Sequence, residues 1–193
     1  MEQTFTENKT FDKLNFKLNP LEKGEYEKCN FKNCDFSEAN FSGFKFYNCS
    51  FTDCNLSLVK VSKASFQDIK FKDCKMLGFR FDTCNPFGLA VSFENCSLNH
   101  SSFHGAKIKR TIFTNSQLQE VDFTLADLSE SVFANCDFTR ARFESSVLEK
   151  ADFRTARNYS IDPEINKVKK ARFSLSEVSG LLDKYHIEID RNH

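Results

Sequence analysis

Residues 34–53 read CDFSE ANFSG FKFYN CSFTD, four consecutive groups of five with phenylalanine in the third place of each group. The spacing continues on both sides of this stretch. Every fifth residue from Phe11 to Phe81 is large and apolar, and after a break the series resumes from Phe93 to Phe153. Eighteen of the 23 phenylalanines belong to these two series. Because random order does not keep apolar residues in phase over such lengths, a five-residue repeat is the basis of the fold.

A second series lies two residues before each large apolar residue and consists mainly of small side chains. All eight cysteines fall in it, and serine and alanine occupy most of its places in the second half of the chain. Side chains at positions i and i+2 of an extended segment point to the same face. The remaining three places are mostly polar, so each unit is predicted to be a short extended piece followed by a turn.

Composition excludes several classes of protein. The chain has 27 basic and 27 acidic residues among 193, which argues against a general DNA-binding protein, since such proteins are strongly basic. No run approaches the roughly 20 apolar residues of a membrane-spanning helix. The N-terminus lacks a basic and then apolar leader, so we expect no membrane association and a cytoplasmic location.

Four units show the pattern of a small residue, Asp or Asn, and Leu or Phe most clearly: residues 34–38, 39–43, 126–130 and 151–155. In this pattern the sequence resembles the pentapeptide-repeat family. The resemblance implies an all-β fold, a right-handed quadrilateral β-helix in which four five-residue sides make one coil. Residues 20 apart would then stack at about 4.8 Å.

The repeat divides the chain into five segments. Residues 1–10 are an N-terminal lead, 11–84 the first repeat block, 85–90 an interruption, 91–155 the second block and 156–193 a C-terminal cap. The two blocks predict about seven coils and a rod of roughly 34 Å.

The interruption shifts the repeat by two residues, because Pro86 takes the next core position and cannot donate to a β-ladder. One interpretation is a local bulge. The other is a partner-binding loop formed by Pro86, Phe87, Gly88 and Leu89, which would present Phe87 and Leu89 from an otherwise polar wall. Both interpretations remain open at this point.

The C-terminal segment is predicted to return to the repeat at Phe173, 20 residues after Phe153, and then to form a short α-helix. A solenoid needs a cap over its last coil, which is the simplest role for this segment. If its apolar face exceeds what that coil hides, the surplus forms a twofold dimer interface. The residues of the predicted interface are Leu175, Val178, Leu181, Leu182, Tyr185 and Ile187.

Residues 161–166 and the Leu-rich segment after them also resemble the C-terminal end of the pentapeptide proteins that protect topoisomerases, the quinolone-resistance (Qnr) and microcin B immunity types. This resemblance implies a homodimer that binds a type II topoisomerase (DNA gyrase or topoisomerase IV) and protects it from quinolone or microcin-type inhibitors. The alternative is a general interaction scaffold with another partner. Since the net charge is zero, imitation of duplex DNA by negative charge is not expected, and loops and shape are the favoured means of binding.

No residue pattern indicates catalysis, a cofactor or a metal. Cys29 and Cys34 are five residues apart, not the two-residue gap of a zinc knuckle, so the cysteines are predicted to be reduced and interior. His100 and His104 flank the core residue Phe103 and are predicted to face solvent. We therefore expect a protein that is not an enzyme and that does not bind nucleic acid directly.

Overall fold

The computed structural model describes residues 4–190, which form a parallel β-solenoid of the predicted right-handed quadrilateral type. Its coils stack in register: Phe31 pairs with Phe51, 20 residues later, and Phe51 with Phe71. The all-β fold class predicted from the five-residue repeat is confirmed.

Thirteen short strands make up the two hydrogen-bonded sides of the solenoid. They are β1 (Thr4–Glu7), β2 (Thr10–Asp12), β3 (Gly24–Glu27), β4 (Asn30–Lys32), β5 (Lys45–Tyr47), β6 (Ser50–Thr52), β7 (Ser65–Gln67), β8 (Ile69–Lys72), β9 (Val91–Glu94), β10 (Ile112–Thr114), β11 (Val132–Ala134), β12 (Asp152–Phe153) and β13 (Arg172–Phe173). Three 3-10 helices, Phe81–Thr83, Val178–Leu181 and Asp183–Tyr185, complete the elements of the described residues.

The strands form two parallel sheets of unequal length. One has four strands in the order β1-β3-β5-β7, and the other has nine, in the order β13-β12-β11-β10-β9-β8-β6-β4-β2. Single parallel bridges, such as Asn55↔Lys75 and Asp122↔Arg142, connect the coils on the other two sides. Nine stacked strands span about 38 Å at about 4.8 Å per step. The rod is one step longer than the repeat blocks alone predict, because β13 adds a strand after β12.

Phenylalanine rings fill the interior as continuous stacks. The ring of Phe113 lies 4.9 Å from that of Phe93 and 5.1 Å from that of Phe133, nearly parallel to both. Phe103, from the opposite side of the coil, meets Phe113 edge-on at 6.0 Å. Each such ring is fully buried and contributes about 2–3 kcal/mol through the removal of apolar surface from water.

Nearly every corner of the solenoid carries one residue with a left-handed backbone. Asn95, Asn115 and Asn135 have φ values of 54°, 50° and 55°. Asn tolerates this region better than most residues, which gives these polar positions a conformational role. Asn135 donates from Nδ2 to Asn115 Oδ1 at 3.0 Å, and Asn115 donates in the same way to Asn95 at 3.1 Å. The corner is thus a ladder of side-chain amides.

The cysteines occupy the predicted interior series, where all eight are free and buried. Cys54 Sγ lies 3.4 Å from the carbonyl oxygen of Phe31 and 3.3 Å from that of Thr52. Burial raises the pKa of the Cys136 thiol to about 12, so this thiol is protonated at neutral pH. These side chains fill the space beside the phenylalanine rings.

The C-terminal segment closes the end of the rod. Phe173 pairs with Phe153 as predicted, and its ring stacks at 5.3 Å. The short α-helix predicted after it is instead two 3-10 helices. Gly180 lies against the previous coil, where its carbonyl oxygen accepts from the Ile161 amide at 2.9 Å. An added Cβ at Gly180 would lie 2.0 Å from the carbonyl oxygen of Tyr159, and this close contact together with the low helix propensity of glycine explains the irregular path.

None of the helices in residues 4–190 combines the length and the apolar character needed to span a bilayer.

Candidate functional site

The interruption lies where the four-stranded sheet ends. β7 is its last strand, whereas β8 pairs with β9 so that Phe71 faces Phe93, 22 residues later instead of 20. The predicted shift of two residues is therefore confirmed. The nine-stranded sheet passes the interruption unbroken, so the two extra residues are accommodated entirely at residues 85–90.

We call the affected side of the solenoid the loop side. It comprises the four-stranded sheet, the loop 85–90, and four stacked segments beyond the loop, residues 107–110, 127–130, 147–150 and 167–170. Parallel bridges join these four segments to one another. Each segment is followed in the chain by a strand of the nine-stranded sheet, just as each strand of the four-stranded sheet is. The loop thus divides one long side into two halves.

Phe87 is the most exposed aromatic side chain of the described residues, with 80% of its surface accessible. Pro86 and Gly88 beside it are exposed as well. Leu89 is different: it is predicted to project with Phe87 but is only 8% exposed and joins the core. That expectation was wrong, because the chain has already turned back toward the interior at Gly88, whose φ is +70°.

Hydrogen bonds from the neighbouring strand hold the loop in place. Gln67 donates from Nε2 to the Phe87 carbonyl oxygen at 3.3 Å. Asn85 accepts from the Phe87 amide at 3.1 Å through Oδ1, and donates from Nδ2 to Ser65 Oγ at 3.1 Å. The loop is therefore anchored on both sides, and the exposed ring is presented in a defined position. Nothing in the five-residue repeat identifies Gln67 or Asn85 as anchors, since their role depends on the loop geometry.

Ion pairs join side chains of neighbouring coils at several places on the rod. On the loop side, Lys109 pairs with Asp127 at 3.2 Å and Arg110 pairs with Glu130 at 3.1 Å. A surface that imitates duplex DNA would carry an uninterrupted row of acidic groups, whereas here Asp127 and Glu130 each pair with a basic side chain of a neighbouring coil. The geometry therefore favours recognition by shape over imitation of the DNA charge.

The predicted dimer interface is only partly accessible. Leu175 is 90% exposed, Ile187 56%, Tyr185 53% and Val178 37%. Leu181 and Leu182 are half-buried, and Leu181 packs against the core. Exposed apolar residues are therefore present at this end, but Leu181, one of the six predicted members, packs against the core.

Ion pairs fasten the cap to the last coil. Lys184 Nζ lies 2.8 Å from Asp162 and 2.6 Å from Glu164, and these hydrogen bonds raise the pKa of the lysine. Tyr185 donates its hydroxyl to Glu164 at 2.9 Å. The exposed apolar residues of the cap are therefore held on a fixed support.

Elsewhere in residues 4–190, reactive or metal-binding side chains do not converge on a common site. A depression of about 460 Å³ lies on the outer face of the nine-stranded sheet and is lined by side chains such as Lys70, Ser92 and Ile112. Within the same residues, no group of three or more His, Cys, Asp or Glu side chains is arranged to hold a metal ion. The loop and the cap are the two features that interrupt an otherwise repetitive surface.

A family model described as a pentapeptide repeat region matches residues 25–86 and 89–180. The chain belongs to the pentapeptide-repeat family. The two residues that the family match omits between its two parts, Phe87 and Gly88, form the exposed part of the loop. Comparison with curated protein sequences finds no significant match.

One solved pentapeptide-repeat structure shares the fold along nearly the whole chain. A trypsin-treated form of QnrB1, a plasmid-mediated fluoroquinolone resistance protein, superposes with a TM-score of 0.52 at 16% identity, covering 97% of this chain and 100% of its own. HetL, a pentapeptide-repeat protein involved in regulating heterocyst differentiation in the cyanobacterium Nostoc, gives a TM-score of 0.38 at 12% identity and 90% coverage of both chains. At these identities the likeness concerns the fold.

Proposed function

We propose that this pentapeptide-repeat protein acts without catalysis, as a rod that binds a protein partner through the loop 85–90. The observation that carries the proposal is the 80% exposed ring of Phe87 on a polar rod, held in place by Gln67 and Asn85. Exposed aromatic side chains on fixed supports are typical anchors of protein interfaces. A position fixed in advance also reduces the entropy lost on binding.

The partner that we propose is a type II topoisomerase, DNA gyrase or topoisomerase IV, which the protein would protect from quinolone or microcin-type inhibitors. Two observations support this choice: the fold shared with the fluoroquinolone resistance protein QnrB1, and the C-terminal cap with its exposed apolar residues. A topoisomerase partner requires the cytoplasmic location predicted from the sequence. Because the net charge is zero and the acidic groups Asp127 and Glu130 on the loop side are paired with basic ones, contact through the loop is the proposed means of protection.

A DNA supercoiling assay tests this proposal. Gyrase inhibited by a quinolone is titrated with the protein, and we expect supercoiling to return. Phe87→Ala should weaken the protection, whereas Leu125→Ala, which shortens an exposed leucine at another corner, should not. Unchanged inhibition at a large excess of wild-type protein would refute the topoisomerase proposal and leave the second candidate, an interaction scaffold with a different protein partner.

We also propose that the protein is a homodimer through its C-terminal cap. Leu175 and Ile187 support this, because they lie exposed at the end of the rod where a second copy can cover them.

A further inference from the structure

The half of the loop side beyond the loop carries an excess of positive charge, although the whole chain is neutral. We call residues 107–110, 127–130, 147–150 and 167–170 the basic half-side. It contains seven basic side chains and three acidic ones: Lys107, Lys109, Arg110, Lys150, Lys167, Lys169 and Lys170 against Asp127, Glu130 and Glu149. All seven basic residues are exposed, whereas Asp127 and Glu149 are half-buried. The accessible charge is therefore more positive than the composition alone indicates.

The adjoining side of the same coils has the opposite sign. In residues 102–105, 122–125, 142–145 and 162–165, four acidic side chains face one basic side chain, Arg142. Lys184 of the cap pairs with two of these acidic groups, Asp162 and Glu164. Within these coils, the positive excess thus lies on the basic half-side and not on the adjoining side. Separation of charge between adjacent sides gives the molecule a defined orientation toward a charged partner.

Ion pairs inside the basic half-side leave four lysines without an acidic partner. They lie in two bands, a single lysine in the first coil of the half-side and three lysines in its last coil. Asp127 binds Lys109, and Glu130 binds both Arg110 and Lys150. Among the described residues, no acidic group lies within 4.0 Å of the amino groups of the remaining lysines. These are Lys107, next to the loop, and Lys167, Lys169 and Lys170 in the last coil. The two bands are three coils, about 14 Å, apart.

We infer that the basic half-side binds an acidic protein surface, with the ring of Phe87 as an apolar anchor at its edge. The inference rests on the proposed function only in taking a protein as the partner. Oppositely charged surfaces accelerate association and select partners by charge pattern. A protein surface with two acidic groups about 14 Å apart matches both lysine bands and also avoids Asp127 and Glu149 between them.

A nucleic acid fits this surface less well than an acidic protein does. A phosphate backbone carries closely spaced negative charges, so a strand that joined the two bands would cross Asp127 and Glu149. Repulsion from these carboxylates offsets part of the attraction to the lysines. The interleaved charges therefore favour an acidic polypeptide over nucleic acid.

Fluorescence anisotropy with two labelled probes tests the inference: a polyglutamate peptide of about 20 residues and a DNA duplex of about 20 base pairs, each at about 50 and 200 mM salt. We expect the full-length protein to bind polyglutamate more tightly than the duplex. The triple variant Lys167→Ala, Lys169→Ala, Lys170→Ala should weaken polyglutamate binding by about tenfold or more at the lower salt.

The matched control removes three exposed lysines from other sides of the rod, Lys60→Ala, Lys63→Ala and Lys75→Ala, so that the net charge of both variants is the same. We expect this control to bind polyglutamate within about twofold of the wild type. Thermal melting of both variants verifies that they fold.

Tighter binding of the duplex, equal losses in the two variants, or no binding of polyglutamate would each overturn the inference. The supercoiling assay is independent of these probes. Loss of protection with intact polyglutamate binding therefore contradicts only the topoisomerase proposal.

Discussion

Gln67 donates a hydrogen bond from Nε2 to the carbonyl oxygen of Phe87, 3.3 Å away, and thereby connects the last strand of the four-stranded sheet to the tip of the loop. We predict that Gln67→Ala destabilises the loop by about 0.5–1 kcal/mol and leaves the coils intact, because one exposed hydrogen bond is lost and no core contact. Hydrogen exchange of the amides of residues 85–90 should become several times faster, with little change in melting temperature.

Gln117→Ala is the matched control, since Gln117 is also an outward-facing glutamine whose amide oxygen accepts long hydrogen bonds, 3.4 Å from Ser97 and 3.5 Å from Asn99. It should leave exchange in the loop unchanged. Equal exchange rates in wild type and Gln67→Ala would show that the loop is held without this bond.

The interior of the rod could be predicted because each residue's place in the five-residue repeat depends only on its position along the chain. The places of Phe113 and Cys136 follow from counting along the chain, as both belong to uninterrupted series. The burial of Leu89 and the 3-10 helices around Gly180 do not follow, since each depends on a contact between distant segments. Gly180 touches Tyr159, 21 residues earlier, and no pattern near Gly180 indicates this contact. Prediction thus failed where the repeat ended.

Leu125 has a left-handed backbone, with φ of +60°, at a corner where Gly43, Lys63, Gly105 and Ser145 of other coils also have positive φ. Its side chain is 55% exposed, so little burial compensates for the conformational strain. We predict that Leu125→Asn stabilises the protein by about 0.5–1 kcal/mol, because Asn adopts this conformation more readily. Urea unfolding measures the gain as a higher midpoint with an unchanged slope.

Leu18 provides the comparison for Leu125. It is 75% exposed but has no positive φ, so Leu18→Asn should produce no such gain. If both substitutions shift the midpoint equally, removal of an exposed leucine and not relief of the backbone would be the cause.

The carboxylate of Asp137 makes the stability of the protein depend on pH in the acidic range. Burial alone would raise its pKa, but hydrogen bonds from Asn158 Nδ2 at 3.0 Å and from the Thr139 hydroxyl at 2.7 Å outweigh burial and lower the pKa to about 2. Because the folded-state pKa lies below the unfolded-state value near 4, the ionised group stabilises the fold above about pH 4. This stabilisation disappears as the pH falls toward 2.

Asp137→Asn should therefore lower the free energy of unfolding by about 1–2 kcal/mol at pH 7 and by much less near pH 2. Denaturant unfolding across this range is the measurement. Asp68→Asn is the control, because Asp68 is exposed and its side chain forms no hydrogen bond or ion pair with another described residue. A constant difference between wild type and Asp137→Asn at every pH would contradict a role for the ionised carboxylate.

Leu175 and Ile187 expose 90% and 56% of their surfaces at the capped end of the rod, next to the half-buried Leu181 that seals the core. We predict that light scattering gives a mass near twice 22.3 kDa for the wild type. Leu175→Asp with Ile187→Asp should yield a monomer of similar melting behaviour, because charges are placed in the proposed interface and the capping residue is retained. Leu58→Asp, at an exposed corner far along the chain, should remain dimeric. A monomeric wild type would refute the homodimer proposal.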